Sequence, residues 1–452
     1  MMDLKNKRVL VVGLGKSGLS AAMFLRAQGA RVTVSDTRSA VALAKEIPAL
    51  LEAGIMVESG GHGLLTFRRQ DLIVVSPGVP MDTPEVKQVV AFGLPVIGEL
   101  ELASRYLRGQ VVAITGSNGK TTTTTLVGKI FEDAGVPTLV GGYIGLPVID
   151  LVVKSSPETV SVLEVSSFQL ETIEEFHPQI AVVLNITPDH LDRHGSFENY
   201  AAAKTRITER QTADDFLVLN AEDKAAQMVA LKTKAQIYWF SGRRPIKQGA
   251  FVHGESILFV AREGAKAEPV MPVSEISLKG SHNVENVLAA VCAARLGKIS
   301  AESIRASVAA FKAVEHRLEL VKALNEVEFY NDSKATNVDA TMKALASFPG
   351  GIHLILGGKD KDSDYSLMSA MLKERVKIVY TIGSAAEKIE RQLQGVVKIV
   401  SAETLQVAVA KAAKAATIGD VVLLSPACSS FDQFENYEQR GRVFRQLVNE
   451  LT

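Results

Sequence analysis

A chain of 452 residues is too long for one ordinary hydrophobic core, so two to four domains are expected. Its 47% hydrophobic and 22% charged residues are those of an average soluble globular protein. The 50 lysines and arginines balance 50 aspartates and glutamates, which argues against general nucleic-acid or anionic-membrane binding but leaves room for a local basic pocket.

The N-terminus leads directly into a strand and lacks the apolar stretch and cleavage site of a signal peptide. No apolar run reaches the roughly 18 to 20 residues a membrane helix needs, so a cytoplasmic protein without membrane insertion is predicted. Residues 9–12 read as a buried strand, followed by a glycine turn, a helix over 19–28 and a strand over 31–35. Another strand, 72–75, is stopped by Ser76-Pro77-Gly78-Val79-Pro80. A new unit opens near Val111 with a strand to Thr115, a glycine loop and a helix over 121–133. Strands at 161–165 and 180–185 follow, then small antiparallel strands across 240–275 and a helix over 279–298. A third unit begins near Glu315-His316-Arg317, with strands at 327–330, 352–356, 377–382 and 421–424. This alternation predicts an α/β protein with mostly parallel sheets in three domains, 1–98, 99–312 and 313–452.

Cys292 and Cys428 lie far apart and outside any Cys-x-x-Cys pattern. A reducing compartment is expected, with neither a disulfide scaffold nor a zinc site.

The segment Thr115-Gly116-Ser117-Asn118-Gly119-Lys120-Thr121-Thr122 joins a strand to a helix. Its glycines allow backbone N–H groups to turn inward around a phosphate, and the helix N-terminus adds its positive end. Lys120 can reach the outer phosphates and the Thr121 hydroxyl can coordinate Mg²⁺. Ile114 stands where the common phosphate-loop pattern has its first glycine. Glu164 ends a strand, at the sheet edge that faces a ligand crevice in open α/β folds. His190 follows the next strand at the same kind of edge, and phosphoryl transfer needs metal ligands there. Lys204, on a predicted helix, reads by itself as a solvated lysine.

Gly13-Leu14-Gly15-Lys16-Ser17-Gly18 follows a strand, and Asp36 ends the next one, as in a dinucleotide-binding fingerprint. A dehydrogenase has no use for the second phosphate loop at Lys120. A ligase uses both, one for ATP and one for a nucleotide-linked substrate that Arg38 would grip.

Several blocks recur in order over essentially the whole chain. They are Gly116 to Thr122, Glu164-Val165-Ser166-Ser167-Phe168-Gln169, and Asn185-Ile186-Thr187-Pro188-Asp189-His190. Further on come Gly280-Ser281-His282-Asn283-Val284-Glu285-Asn286, His316-Arg317, Asn331-Asp332-Ser333-Lys334-Ala335-Thr336-Asn337, and Ser425-Pro426-Ala427-Cys428-Ser429-Ser430-Phe431. In these blocks the chain resembles the Mur ligases. The resemblance implies a UDP-substrate-binding Rossmann-like domain, a central ATPase and a C-terminal Rossmann-like domain that binds an amino acid. It implies ATP-dependent addition of D-glutamate to UDP-N-acetylmuramoyl-L-alanine through an acyl phosphate, a step of peptidoglycan synthesis, by a monomer.

By position, the resemblance assigns Gly116, Ser117, Asn118, Gly119, Lys120, Thr121 and Thr122 to ATP phosphates, with Asn286, Arg317 and Asp332 on the same nucleotide. Thr121, Glu164, His190 and a carbamylated Lys204 would serve two Mg²⁺ ions. Lys16, Ser17, Thr37, Arg38 and His190 would hold the UDP-sugar, and Thr336, Lys361, Ser430 and Tyr437 the D-glutamate. Tyr143 stands where the family pattern usually has asparagine, and Tyr437 where it has phenylalanine. The Asp-Asn-Pro-Arg loop of relatives that add meso-diaminopimelate or lysine is absent. ATP supplies the activation, so Cys428 needs no nucleophilic role, and domain closure is expected to exclude water. Two alternatives remain open: another ligase of the superfamily, such as a folylpoly-γ-glutamate synthase, and a nucleotide-binding regulatory protein without turnover.

Overall fold

The computed structural model describes residues 2–143, 145–278, 280–312 and 315–451. They form three sheets. The described chain falls into two compact units: one contains the residues up to Ile186 with Glu198–Met271 and Leu288–Ser307, the other Thr187–Phe197, Pro272–Val287 and the chain from Val308. The expected 312/313 boundary meets Ala313, and the expected helix start meets Lys279; both lie outside the described residues.

The first sheet contains Arg8–Val12 (β1), Arg31–Asp36 (β2), Met56–Ser59 (β3), Leu72–Val75 (β4) and Val96–Gly98 (β5), in the order β3-β2-β1-β4-β5. All its pairings are parallel. Residues 9–12 are fully buried, as a central strand covered on both faces must be. The strand order reverses beside β1, and this topology opens a crevice beyond the strands' C-terminal ends. The helix after β1 is Lys16–Ala27, starting before the predicted position because its first turn is polar and carries no apolar periodicity.

The second sheet contains Gln110–Thr115 (β6), Thr138–Gly142 (β7), Val160–Glu164 (β8), Ile180–Val183 (β9), Phe216–Asn220 (β10), Gln236–Ser241 (β11), Gly249–His253 (β12), Ser256–Val260 (β13) and Glu268–Pro272 (β14). Its order is β14-β13-β12-β11-β10-β9-β6-β8-β7. β6 is interior, with β8 and β9 parallel on its two sides. The expected antiparallel strands in 240–275 are realised in the β12–β13 pair, whereas β12 joins β11 in parallel.

The third sheet contains Glu319–Leu324 (β15), Val327–Asn331 (β16), Ile352–Gly357 (β17), Val376–Ile382 (β18), Lys398–Glu403 (β19) and Val421–Leu424 (β20), in the order β15-β16-β20-β17-β18-β19. Only the β15–β16 pair is antiparallel. Its two faces bury separate apolar clusters, one around Leu354 and Leu423, the other around Ile355 and Leu424. Adjacent residues of one strand thus feed opposite faces, as the two-residue period of a strand requires. No helix among the described residues is long and apolar enough to cross a membrane.

Candidate active site

The loop after β6 is built by its glycines. Gly116 and Gly119 take φ of 155° and 86°, and Gly119 immediately precedes the helix Lys120–Asp133. The chain after β9 holds the loop in place. Ser117 donates its N–H to the Asn185 carbonyl at 2.9 Å, and Asn118 donates to Asn185 Oδ1 at 2.8 Å. Asn185 returns a bond from Nδ2 to the Asn118 carbonyl at 3.0 Å. Ile114, the departure from the common pattern, is a buried residue of β6 and the register partner of Glu164 on β8. The strand therefore runs on where other phosphate loops have already turned.

Two lysines meet on this loop. Lys120 Nζ donates to the carbonyls of Gly116 and Ser117, both at 2.9 Å. Lys204 Nζ, from the helix Phe197–Thr205, donates to the same Gly116 carbonyl at 2.8 Å. Lys204 is 1% exposed, with its ammonium 4.7 Å from the Tyr200 ring centroid, so the solvated reading is wrong. The Tyr200 hydroxyl in turn lies 3.0 Å from Ser117 Oγ. Burying an ammonium is unfavourable without compensating partners, which marks Lys204 as a residue with a task.

Glu164 is the last residue of β8 and 1% exposed, and its Oε2 has no hydrogen-bond partner among the described residues. A buried carboxylate oxygen without a donor suits a cation. No group of three or more His, Cys, Asp or Glu side chains able to hold a metal occurs among the described residues. Mg²⁺ fits this donor set because it takes few carboxylates and completes its shell with water and phosphate oxygens.

A cavity of about 410 Å³ opens at the first glycine turn and brings together Lys16, Ser17, Thr37 and Arg38, four of the five residues expected at a UDP-sugar; His190 is not among the residues that line it. His62, Tyr143 and Gln169 line it too. Asp36 is occupied otherwise. Its carboxylate accepts the Leu14 N–H at 2.7 Å, the Arg38 N–H at 2.8 Å and the Arg38 guanidinium at 2.9 and 3.0 Å. Burial pushes the Asp36 carboxyl up, but the Arg38 guanidinium and the two N–H groups outweigh it and hold it below the usual range. With those bonds made, Asp36 is poorly placed to serve as the ribose acid of a dinucleotide site. His62 Nδ1 lies 2.8 Å from Ser35 Oγ; sequence reasoning missed it, although the turn Gly60-Gly61-His62-Gly63 is a visible signal.

In the second unit, His190 begins a short helical turn at φ 53°. Asp189 beside it accepts the His190 N–H at 3.0 Å, Asn337 Nδ2 at 3.1 Å and Lys361 Nζ at 3.3 Å. Two expected functional residues, His190 and Lys361, thus meet at one carboxylate that sequence reasoning passed over. Thr336 is half-buried just before Asn337, which caps the helix Val338–Ala346. Asp332 accepts Ser425 Oγ at 2.8 Å and the Leu318 N–H at 3.3 Å, and burial pushes its carboxyl up to about 7 despite the nearby charge of Arg317. Asn286 is buried and donates to Asn283 Oδ1 at 3.0 Å.

Ser430 is buried, and Tyr437 accepts a bond from Lys334 Nζ at 2.9 Å. The loops bearing Ser333 and Ser430 share one anchor. Fully buried Arg440 donates to Ser333 O at 2.7 Å, Ser333 Oγ at 3.0 Å, Cys428 O at 3.1 Å and Ser429 O at 3.3 Å. Cys428 is buried 2.9 Å from the Tyr365 hydroxyl, and burial pushes its thiol up to about 12. A thiol so protonated is no nucleophile.

Fold and site define an α/β nucleotide-binding protein with a phosphate loop at a sheet edge and a second crevice of Rossmann type. Three domain descriptions match the sequence in order: Mur ligase MurD-like, N-terminal domain over residues 7–98; Mur ligase middle domain over 114–294; and Mur ligase, glutamate ligase domain over 316–428. The UDP-N-acetylmuramoylalanine--D-glutamate ligase of Acidobacterium capsulatum is 68% identical over 99% of this chain and 97% of its own length. The protein of that name from Koribacter versatilis is 57% identical over 100% and 99%. Among solved structures, a pseudomurein peptide ligase type C from Methanothermus fervidus superposes with a TM-score of 0.62 at 21% identity, covering 99% of this chain and all of its own. The UDP-N-acetylmuramate-alanine ligase of Thermotoga maritima gives 0.61 at 17% identity over 98% and 99%. The chain belongs to the Mur ligase family.

Proposed function

We propose that this protein is the ligase that adds D-glutamate to UDP-N-acetylmuramoyl-L-alanine at the expense of ATP, in the cytoplasm and as a monomer. The observation that carries the reading is the convergence of Lys120 and Lys204 on the single Gly116 carbonyl of the phosphate loop. Two ammonium groups sharing one acceptor repel each other, and a polyphosphate beside them relieves that repulsion. Carbamylation of Lys204 relieves it further, turning the buried cation into an anion able to serve a metal. The names and full-length identity of the relatives support the choice of substrates.

The substrate, ATP and amino-acid modules are 1–98, 99–312 and 313–452. In the reaction, an oxygen of the substrate carboxylate attacks the γ-phosphorus, ADP leaves, and an acyl phosphate forms. The D-glutamate amine then attacks the acyl carbon, phosphate leaves with the bonding pair, and the amine proton passes to solvent. Lys120 holds charge against the transferring phosphoryl oxygens, as the loop N–H groups do. Two Mg²⁺ ions would be held by Thr121, Glu164, His190 and carbamylated Lys204, where they neutralise the crowded oxygens. Lys16, Ser17, Thr37 and Arg38 bind the UDP-sugar. Asn286, Arg317 and Asp332 hold the nucleotide. Thr336, Lys361, Ser430 and Tyr437 receive the D-glutamate, with Lys361 a point charge for one of its carboxylates.

Phosphate release tests the reading. Purified protein with ATP, Mg²⁺ and UDP-N-acetylmuramoyl-L-alanine should release phosphate rapidly only when D-glutamate is added. Equal release with no amino acid would make it a plain ATPase, and a response to another amino acid would assign a different ligase.

A further inference from the structure

We infer that Asp360 is a positioning residue for the amino-acid substrate: together with Lys388 and Tyr365 it fixes the turn from which Lys361 reaches the incoming carboxylate. This rests on the function proposed above.

Lys361 stands on the loop Gly357-Gly358-Lys359-Asp360-Lys361 that leaves β17. The chain before it is held in steps. Gly358, at φ 140°, packs so closely that a Cβ would come within 2.3 Å of the Ser429 carbonyl oxygen. Lys359 donates its N–H to that carbonyl at 2.9 Å, and Ser429 returns its own N–H to the Lys359 carbonyl at 3.1 Å. The Lys361 loop is thereby tied to the loop that carries Ser430. Asp360 then closes the turn. Its Oδ1 accepts the Ser363 N–H at 3.1 Å and the Tyr365 hydroxyl at 2.7 Å, and its Oδ2 accepts Lys388 Nζ at 2.6 Å. Asp362, at φ 60°, lets the chain double back directly after Lys361.

The partners of Asp360 are themselves anchored. Tyr365 is fully buried in the apolar cluster around Leu354, and its N–H donates to Gln392 Oε1 at 2.8 Å. Lys388 and Gln392 lie four residues apart on the helix Ala386–Gln392, so one helix face braces the loop at two points. Burial pushes the Asp360 carboxyl up, but the Lys388 ammonium, the Tyr365 hydroxyl and the Ser363 N–H outweigh it and hold it below the usual range. The clamp is therefore an ion pair. Lysine carries its charge on a long flexible stem, so the ammonium is placed only as well as the backbone beneath it. Lys361 Nζ already points to Asp189 Oδ1, 3.3 Å away. The Asp360 clamp fixes the other end of that stem.

The test uses the full-length enzyme, with D-glutamate as the varied substrate. Asp360→Asn keeps the shape and removes the charge that Lys388 needs. Lys388→Met removes the ammonium and keeps the stem; Lys388 is 25% exposed, so this variant stays testable where Asp360→Asn fails to fold. Melting temperatures identify properly folded variants. Each should raise KM for D-glutamate by about tenfold, with KM for ATP and for UDP-N-acetylmuramoyl-L-alanine unchanged and most turnover regained at saturating D-glutamate. The double variant should be no worse than the poorer single one, because both changes break one pair. Lys388→Arg, which keeps the pair, should recover most of the affinity that Lys388→Met loses. Wild-type KM for D-glutamate in a folded variant, an equal rise for all three substrates, or losses that add in the double variant would overturn the role of Asp360 and leave the proposed function standing. A wild-type protein that gives no response to D-glutamate would overturn both.

Discussion

Lys204 shows what a single side chain can and cannot disclose in sequence. Flanked by alanines on a helix, it has the pattern of a solvated residue; burial against Tyr200 and the Gly116 carbonyl reverses that reading. Lys204→Ala is expected to cut turnover by orders of magnitude and to recover partly with added short carboxylates, measured as phosphate release. Undiminished activity would refute the carbamate. Glu99 offers a second test. It is 1% exposed, takes the Ile149 N–H at 2.7 Å, leaves Oε2 without a partner among the described residues, and is pushed by burial up to about 7. Because the folded value lies above the unfolded one, the native state holds the extra proton. This stability is present in full below about pH 4 and lost as pH rises through about 7. Glu99→Gln should therefore gain in melting temperature over wild type as pH goes from about 5 to about 8. A constant difference across that range would show that Glu99 does not titrate there.

At the level of elements, legibility followed burial in five interior strands but not in β10, which lies buried between β9 and β11 and went unread. The interior strands β1, β4, β6, β17 and β20 are continuous apolar runs, so composition alone locates them. The edge strands β3, β7, β15 and β19 went unread because half-exposed sequences such as Met56-Val57-Glu58-Ser59 carry no such run. Both glycine turns were legible, since few residues besides glycine allow their geometry. Asn185, Asp189, His62 and Asp360 were not assigned roles, because each acts through a partner distant in sequence. Gly18 connects the turn to its helix. A Cβ there would lie 1.9 Å from the Gly13 carbonyl oxygen and 2.6 Å from Ser76 Oγ. Gly18→Ala should cost about 2 kcal/mol or more and lower the melting midpoint by several degrees, with loss of UDP-sugar binding. Retention of both would mean that the helix can shift freely away from β1.

For the whole molecule, the three sheets match the expected alternation of strands and helices; five family blocks fall at strand ends and on the loops that follow them, whereas Gly280 to Asn286 opens the helix Ser281–Leu296 and His316-Arg317 precedes β15. The residues lining the cavity at the first glycine turn all belong to one compact unit, so a UDP-sugar is expected to bind there without nucleotide. UDP-N-acetylmuramoyl-L-alanine alone, at a hundred times its Kd, should add about 2.7 kcal/mol and raise the melting midpoint. A midpoint that responds only when Mg²⁺–ATP is also present would show that the cavity is completed by nucleotide.

Arg440 has a consequence for how such an enzyme changes over time. Three of its four bonds end on main-chain oxygens of the two loops it joins. A peptide carbonyl is the same whatever residue bears it. Neighbouring side chains on those loops can therefore be exchanged while the guanidinium keeps the backbone frame in register.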